Sequence, residues 1–442
     1  MNTYFGKCTL KLLVITMAGK KRIRTKMMAA IDATRGKIGS QEYIETARKK
    51  PQDFTRNRKM PFVELVLFML NMVKSSTQTC LDRFFKIIGR EETHMSQQAF
   101  SAARQKIRWE ALRELFHMIV DLIYDGYYDT WHGYRLLAID GTKIQLPDDP
   151  KLRTHFGTLG KKDAAATAQG SALYDVLNKT LVDVRIVPME IGERELALRH
   201  ISRLCELESF FKDCILYDRG YASFEMVETM KERTISFVMR VKRGFNKSID
   251  LLPYGDHGVT LQKQGHDDIP VRVVKFELSS GEDEVLITDI TDKSMGIEDF
   301  KKLYFMRWPV ETKYDEIKNK LEVENFSGRT VDAIMQDFYV TMYMSNIASI
   351  AYWEAQEDVE VEREGKDNKY SYHVNINHTI GTLKDRFIEA LLEPNSRKRV
   401  KQVTRLLNLL GKHPVPNRPG RSRPRNPSPR VAKFRHNRKS NC

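Results

Sequence analysis

The pattern of apolar positions changes texture along the chain. Across residues 40–134 they recur at helical spacing among basic residues. Pro61 opens the run 62–73, almost wholly apolar, which predicts a buried helix. Residues 79–88 predict a shorter helix stopped by Gly89, and Ser96 is placed to cap a third over 97–107, whose end carries Arg104, Lys106 and Arg108. These two helices read equally as a helix-turn-helix module presenting Arg104 and Lys106 to DNA or as part of a plain bundle with a solvated basic face. The connection 90–95 is longer than a tight turn.

After Tyr134 the texture becomes that of strands. LLAIDGT at 136–142 predicts a buried strand ending in a polar turn at Asp140-Gly141. Further strands are predicted at 171–177, 180–187, 214–217 and 234–241, with helices at 195–206 and 224–232 between them. Adjacent strands followed by strand-helix alternation predict an α/β fold with a mixed sheet. Residues 245–291 alternate short β-like runs with turn signals and predict a small all-β insertion. Helical character returns from Ile297 to Ile350, and 354–367, with seven acids, predicts a surface linker before a last helical region that ends at 411.

Composition narrows the function classes. The chain has 442 residues, 41% hydrophobic and 30% charged, which favours a folded, multidomain protein and argues against a wholly disordered chain and a polytopic membrane protein. Its net charge of +15 favours a polyanionic partner, nucleic acid above all. Ten of the Lys and Arg residues lie in the Pro-rich stretch 412–442, which holds no acid and predicts a disordered basic tail. The five cysteines are scattered without a C-x-x-C pair, which argues against a disulfide scaffold or zinc ribbon. The N-terminal apolar run is too short to span a bilayer and its charges follow it, so a cytoplasmic protein is expected. The expected divisions are a basic, disordered 1–39, a helical DNA-binding region 40–130, a core in two parts (131–244 and 292–353) around the insertion 245–291, a linker and helices over 354–411, and the tail.

Candidate chemistry lies in three places. Asp140 and Asp218 each close an apolar strand segment and precede a glycine within two residues. The third is Tyr304-x2-Arg307-x3-Glu311-x6-Lys318, whose members share one face of a continuous helix; Pro309 would make the helix kink or begin there.

At these residues the chain resembles the bacterial DDE-class transposases of the insertion-sequence-four family. The signature stands here as YFMRWPVETKYDEIK, the first aspartate in LLAIDGTKIQLPDD and the second in ILYDRGYASFEMVETMKE, with separations of 78 and 93 positions between the acids. The resemblance covers roughly residues 50–350 and implies an RNase H-like catalytic core interrupted by the β insertion. It implies that Asp140, Asp218 and Glu311 hold two Mg²⁺ ions, with Mn²⁺ as a substitute, Asp140 bridging them. Hard cations prefer carboxylate oxygen, and paired ions stabilise the attacking and leaving oxygens of a phosphodiester. It further implies that Tyr304 and Arg307 hold the phosphate at the cleavage point and that Lys318 contacts the transposon-end backbone, with Arg219 and Tyr221 as weaker candidates. The substrate would be double-stranded DNA, at the terminal inverted repeats and the target, held by a homodimer in a synaptic complex, with no membrane partner. Some relatives stack a flipped base on a tryptophan of the insertion. Here Trp109, Trp131, Trp308 and Trp353 all lie outside it, which leaves Phe237, Phe245, Tyr254 or Phe276 for that task. Competing functions are a non-catalytic DNA-binding descendant of such an element, which the intact acids disfavour, and a structure-specific nuclease on the same fold.

Overall fold

The computed structural model describes residues 25–418 except 57, 72–74, 127, 161–163, 207–210, 279–280 and 367–368. Six helices come first: α1 (Thr25–Gly39), α2 (Gln41–Ala47), α3 (Phe62–Leu70), α4 (Thr77–Ile87), α5 (Gln97–Arg104) and α6 (Trp109–Tyr124). α3 is buried at seven of its positions, as its unbroken apolar run predicts. Ser96 caps α5, its hydroxyl accepting from the Ala99 N–H at 3.2 Å.

The sheet is built from β1 (Arg135–Gln145), β2 (Thr167–Asp175), β3 (Thr180–Val187), β4 (Asp213–Tyr217), β5 (Ser236–Arg240), β6 (Gly255–Leu261), β7 (Ile269–Glu277) and β8 (Asp283–Thr288). Helices α7 (Pro150–Phe156), α8 (Glu193–Glu206), α9 (Phe224–Glu232) and α10 (Lys247–Asp250) lie between these strands. The order across the sheet is β3-β2-β1-β4-β5-β8-β7-β6. β2 runs antiparallel to β1 and β3, whereas β1, β4 and β5 are mutually parallel. That order and those directions over the first five strands are the RNase H-like arrangement. Every residue of β2 is buried, as expected of a strand covered on both faces.

α11 (Ile297–Phe305) and α12 (Pro309–Asp315) follow the sheet, and one π turn (Glu316–Lys320) leads on toward α13 (Val331–Arg363). α13 is apolar around most of its circumference and packs against α1, α3, α6 and β3. It also meets α14 (Ile376–Leu392) and α15 (Ser396–Gly411). A two-stranded ribbon of β9 (Tyr372–His373) and β10 (Val415–Pro416) closes the described chain.

The structure departs from expectation in four places. Residues 25–39 are helix α1, with Met27, Ala30 and Ile31 wholly buried, rather than a disordered segment. The β-rich stretch after β5 forms no separate unit, because β8 pairs with β5 and carries β7 and β6 outward as extensions of the main sheet. Most of the acidic stretch expected to be a linker is the end of α13, where Ala355, Gln356 and Val359 are buried beneath the exposed acids. The tail begins as strand β10, and 419–442 lie outside the described residues.

Arg272 on β7 ties the outer strands to α11. Its guanidinium donates to the carbonyls of Asp292 (2.8 Å) and Met295 (2.6 Å), pairs with Asp256 at 2.6 Å and lies 4.9 Å from the centre of the Phe300 ring. Among the described residues no helix is long and apolar enough to cross a membrane.

Candidate active site

β1 does not end at Asp140 but runs on to Gln145, paired with β2 along that whole stretch. What ends is its parallel partner: β4 stops at Tyr217, with Ala138 opposite Leu216. Continuing that register by two positions brings Asp140 beside Asp218 in the crevice at the carboxyl ends of the parallel strands. Each aspartate accepts the N–H of the residue after it, from Gly141 to Asp140 at 3.0 Å and from Arg219 to Asp218 at 2.7 Å.

The third element arrives from the far side as two helices rather than one. α11 ends at Phe305, the chain turns through Met306, Arg307 and Trp308, and α12 begins at Pro309, where the missing N–H costs nothing in a first turn. Tyr304 in the last turn of α11 donates to Asp218 at 3.4 Å. Arg307 is 6% exposed and donates through Nη2 to Glu311 at 3.1 Å. Lys318, in the π turn, donates to the Lys143 carbonyl of β1 at 2.6 Å.

Arg307 is therefore the point on which the acids converge. Burial opposes its charge, but Tyr304, Asp218, Asp140 and Glu311 around it outweigh that and hold the guanidinium firmly protonated. Its Nε–H is buried without an acceptor. A buried orphan donor costs free energy, so an acceptor is wanted there. Asp140 is raised by burial to about 6; Arg307 and the Gly141 N–H oppose the shift, while Glu311 and Glu193 add to it. Burial likewise pushes up the Tyr304 hydroxyl. The donors suit a hard divalent cation, and the unpaired Nε suits an anion beside it. Among the described residues no three His, Cys, Asp or Glu side chains stand at ligand distance from one point.

Two positioning features gave little signal in the sequence. Tyr314 donates to the Asp140 carbonyl at 2.6 Å, docking α12 on β1; its spacing of three from Glu311 was the available hint. Ser171 on β2 donates to the same carbonyl at 3.3 Å and contacts His200 Nε2 at 3.0 Å, while His200 Nδ1 meets Asp183 at 2.7 Å. Burial alone would raise Asp183, but hydrogen bonds from His117 and His200, with Arg185 nearby, hold it well below the usual carboxylate range. This Ser-His-Asp chain is sealed in the core and braces β1 from behind.

Other candidates are placed elsewhere. Arg104 does not face solvent: it is 2% exposed, with Nε on Gln336 (2.8 Å), Nη2 on Asp337 (2.7 Å) and the Ala333 carbonyl (3.2 Å), and Nη1 on Ser327. Its guanidinium joins α5 to α13 and has no free edge for a phosphate. Lys106 is half-buried just beyond α5, its carbonyl accepting from the Lys49 N–H. Arg219 is exposed and Tyr221 buried. Phe237 and Phe276 are core residues and present no face to a base, whereas Tyr254 is exposed and Phe245 partly so. Phe305 and Trp308 stand out of the turn beside Arg307, 61% and 45% exposed.

Residues 131–347 match the family described as the transposase DDE domain. A putative transposase, InsZ of Escherichia coli K12, is 25% identical over 187 residues, covering 40% of this chain and 60% of that protein. The transposase InsG for insertion sequence element IS4 of the same organism is 24% identical over 302 residues, 62% of this chain and 65% of that protein. The chain thus spans less than two thirds of either relative. A cryo-EM structure of a piggyBac transposase synaptic complex with hairpin DNA aligns with 89% of this chain and 87% of its own, with a TM-score of 0.48 and 13% identity.

Proposed function

We propose that this chain, a DDE transposase by the domain at residues 131–347, severs DNA strands at the ends of its own element and joins them to target DNA in a metal-dependent reaction. The observation that carries this reading is the convergence of Asp140, Asp218 and Glu311 on the buried Arg307 at the carboxyl edge of the parallel strands. Two Mg²⁺ ions, or Mn²⁺ in their place, would be held by those three carboxylates and would stabilise the attacking and leaving oxygens of the phosphodiester. Arg307 turns its unpaired Nε toward the scissile phosphate, and Tyr304 keeps Asp218 oriented. Lys318, tied to the Lys143 carbonyl and near Glu324, sets the distance between the π turn and β1 and adds positive charge toward the end backbone. Double-stranded DNA at the inverted repeats and the target is the substrate, held by two copies of the chain in a synaptic complex in the bacterial cytoplasm.

Purified protein and linear DNA carrying both element ends are expected to give nicks at the element boundary and joined products with Mg²⁺, and neither with chelator. Absence of metal-dependent cleavage would sink the proposal; cleavage without joining would make the protein a nuclease.

Arg307→Lys tests the phosphate contact. An ammonium is a single charge centre and has no Nε in the fork geometry, so cleavage is expected to fall at least about tenfold while affinity for end DNA stays within twofold. A variant with normal turnover and a lowered melting temperature would reduce Arg307 to a partner of Glu311.

A further inference from the structure

Gly141 has an extended backbone without positive φ, so no turn demands glycine there. The demand comes from space: a Cβ at 141 would lie 2.7 Å from Glu193 Oε1 and 3.0 Å from Gln169 Nε2. The carboxylate of Glu193, at the start of α8, thus occupies the volume a side chain next to Asp140 would take. Gln169 holds it there. Lys143 donates to the amide oxygen of this buried glutamine, which turns the amide NH₂ to Glu193 Oε1 at 3.5 Å.

A second observation lies on the same spot. Tyr221 is 2% exposed, its hydroxyl has no hydrogen-bond partner, and the charges it feels are those of Glu193, Asp140 and Asp218. The geometry puts this residue near Glu193, because Arg194 donates to the Gly220 and Ala222 carbonyls on either side of it, and a buried hydroxyl with no partner lacks the hydrogen bond such groups normally make. Four carboxylates also match the charge of two divalent ions, which three leave in excess.

Resting on the metal-dependent reading above, we propose that Glu193 is a fourth acidic residue of the divalent-cation site beside Asp140, and that the Tyr221 hydroxyl takes a water bound to that cation. The helix start supplies the competing explanation, since an acid in a first turn favours the helix dipole whatever it faces. Glu195 controls for it, being in the same turn but paired with Arg199 at 2.5 Å.

The test titrates full-length protein without DNA with Mn²⁺ alone, read by the electron paramagnetic resonance of free Mn²⁺, and with Tb³⁺, read by tyrosine-sensitised emission. Glu193→Gln is expected to weaken Mn²⁺ binding about tenfold or more and Tyr221→Phe severalfold with dimmer Tb³⁺ emission, while Glu195→Gln changes neither. Melting temperatures of the glutamine variants verify folding, which the exposed position of Glu193 favours. If wild type binds Mn²⁺, Asp140→Asn loses it and Glu193→Gln matches Glu195→Gln, the fourth acid is refuted and the three-carboxylate site stands. If wild type does not bind, or Asp140→Asn binds as well as wild type, the metal-dependent reading itself fails and Glu193 with it.

Discussion

Asp140→Asn is expected to lower strand cleavage by about a thousandfold or more, by removing the charge that holds a cation, and at the same time to stabilise the protein when no metal is added. Burial raises Asp140 to about 6 from an ordinary 3.8, so ionising it costs the folded chain more than the unfolded one. Its contribution is neutral below the unfolded value of 3.8, turns increasingly unfavourable as pH rises from there to about 6, and stays so above. About two units correspond to roughly 3 kcal/mol, and partial solvent access trims this to about 2 kcal/mol. Asparagine keeps an oxygen for the Gly141 N–H and carries no charge. Its melting temperature should therefore exceed wild type by several degrees at pH 8 and equal it near pH 4. Added Mg²⁺ should reverse the order at pH 8, because only wild type gains from binding. Near-normal cleavage by the variant would remove Asp140 from the chemistry. A melting difference that does not vary with pH would remove the ionisation argument.

Arg104→Ala should cost about 3–5 kcal/mol, because it takes the one guanidinium from the half-buried carboxylate of Asp337, which keeps its hydrogen bonds from Ser327, and strips Gln336 and the Ala333 carbonyl of a donor. At roughly 2–4 °C per kcal/mol the melting temperature drops on the order of 10 °C. Affinity for end DNA, measured well below that temperature, should be unchanged. A variant that melts normally but loses DNA would restore Arg104 to the binding surface its sequence position suggested.

That residue illustrates where sequence stops being informative. Arg104 lies four positions after Phe100, hence on the same face, and Phe100 packs edge-on against Phe68 at 4.8 Å. Helical spacing therefore marked Arg104 as inward, and its charge masked the mark. The acids of 354–367 hid Ala355 and Val359 in the same way, though those two continue the buried stripe of α13. Strand texture was legible for β1, β3, β4 and β5 because runs such as LLAI admit little else, whereas the pairing of β8 with β5 joins segments about fifty residues apart that local pattern does not connect. Asp140, Asp218 and Glu311 could be named from motifs. Glu193 could not, since its approach to Gly141 depends on how α8 docks on β1 and β2.

The clamp made by Arg272 gives the outer strands a mechanical role. One guanidinium grips Asp256 on β6 and the carbonyls leading into α11, and the last turn of α11 carries Tyr304, which touches Asp218. The sheet's far edge and the acids are thus bridged by one helix, fastened to β6 and β7 through Arg272 at its start and to Asp218 through Tyr304 at its end.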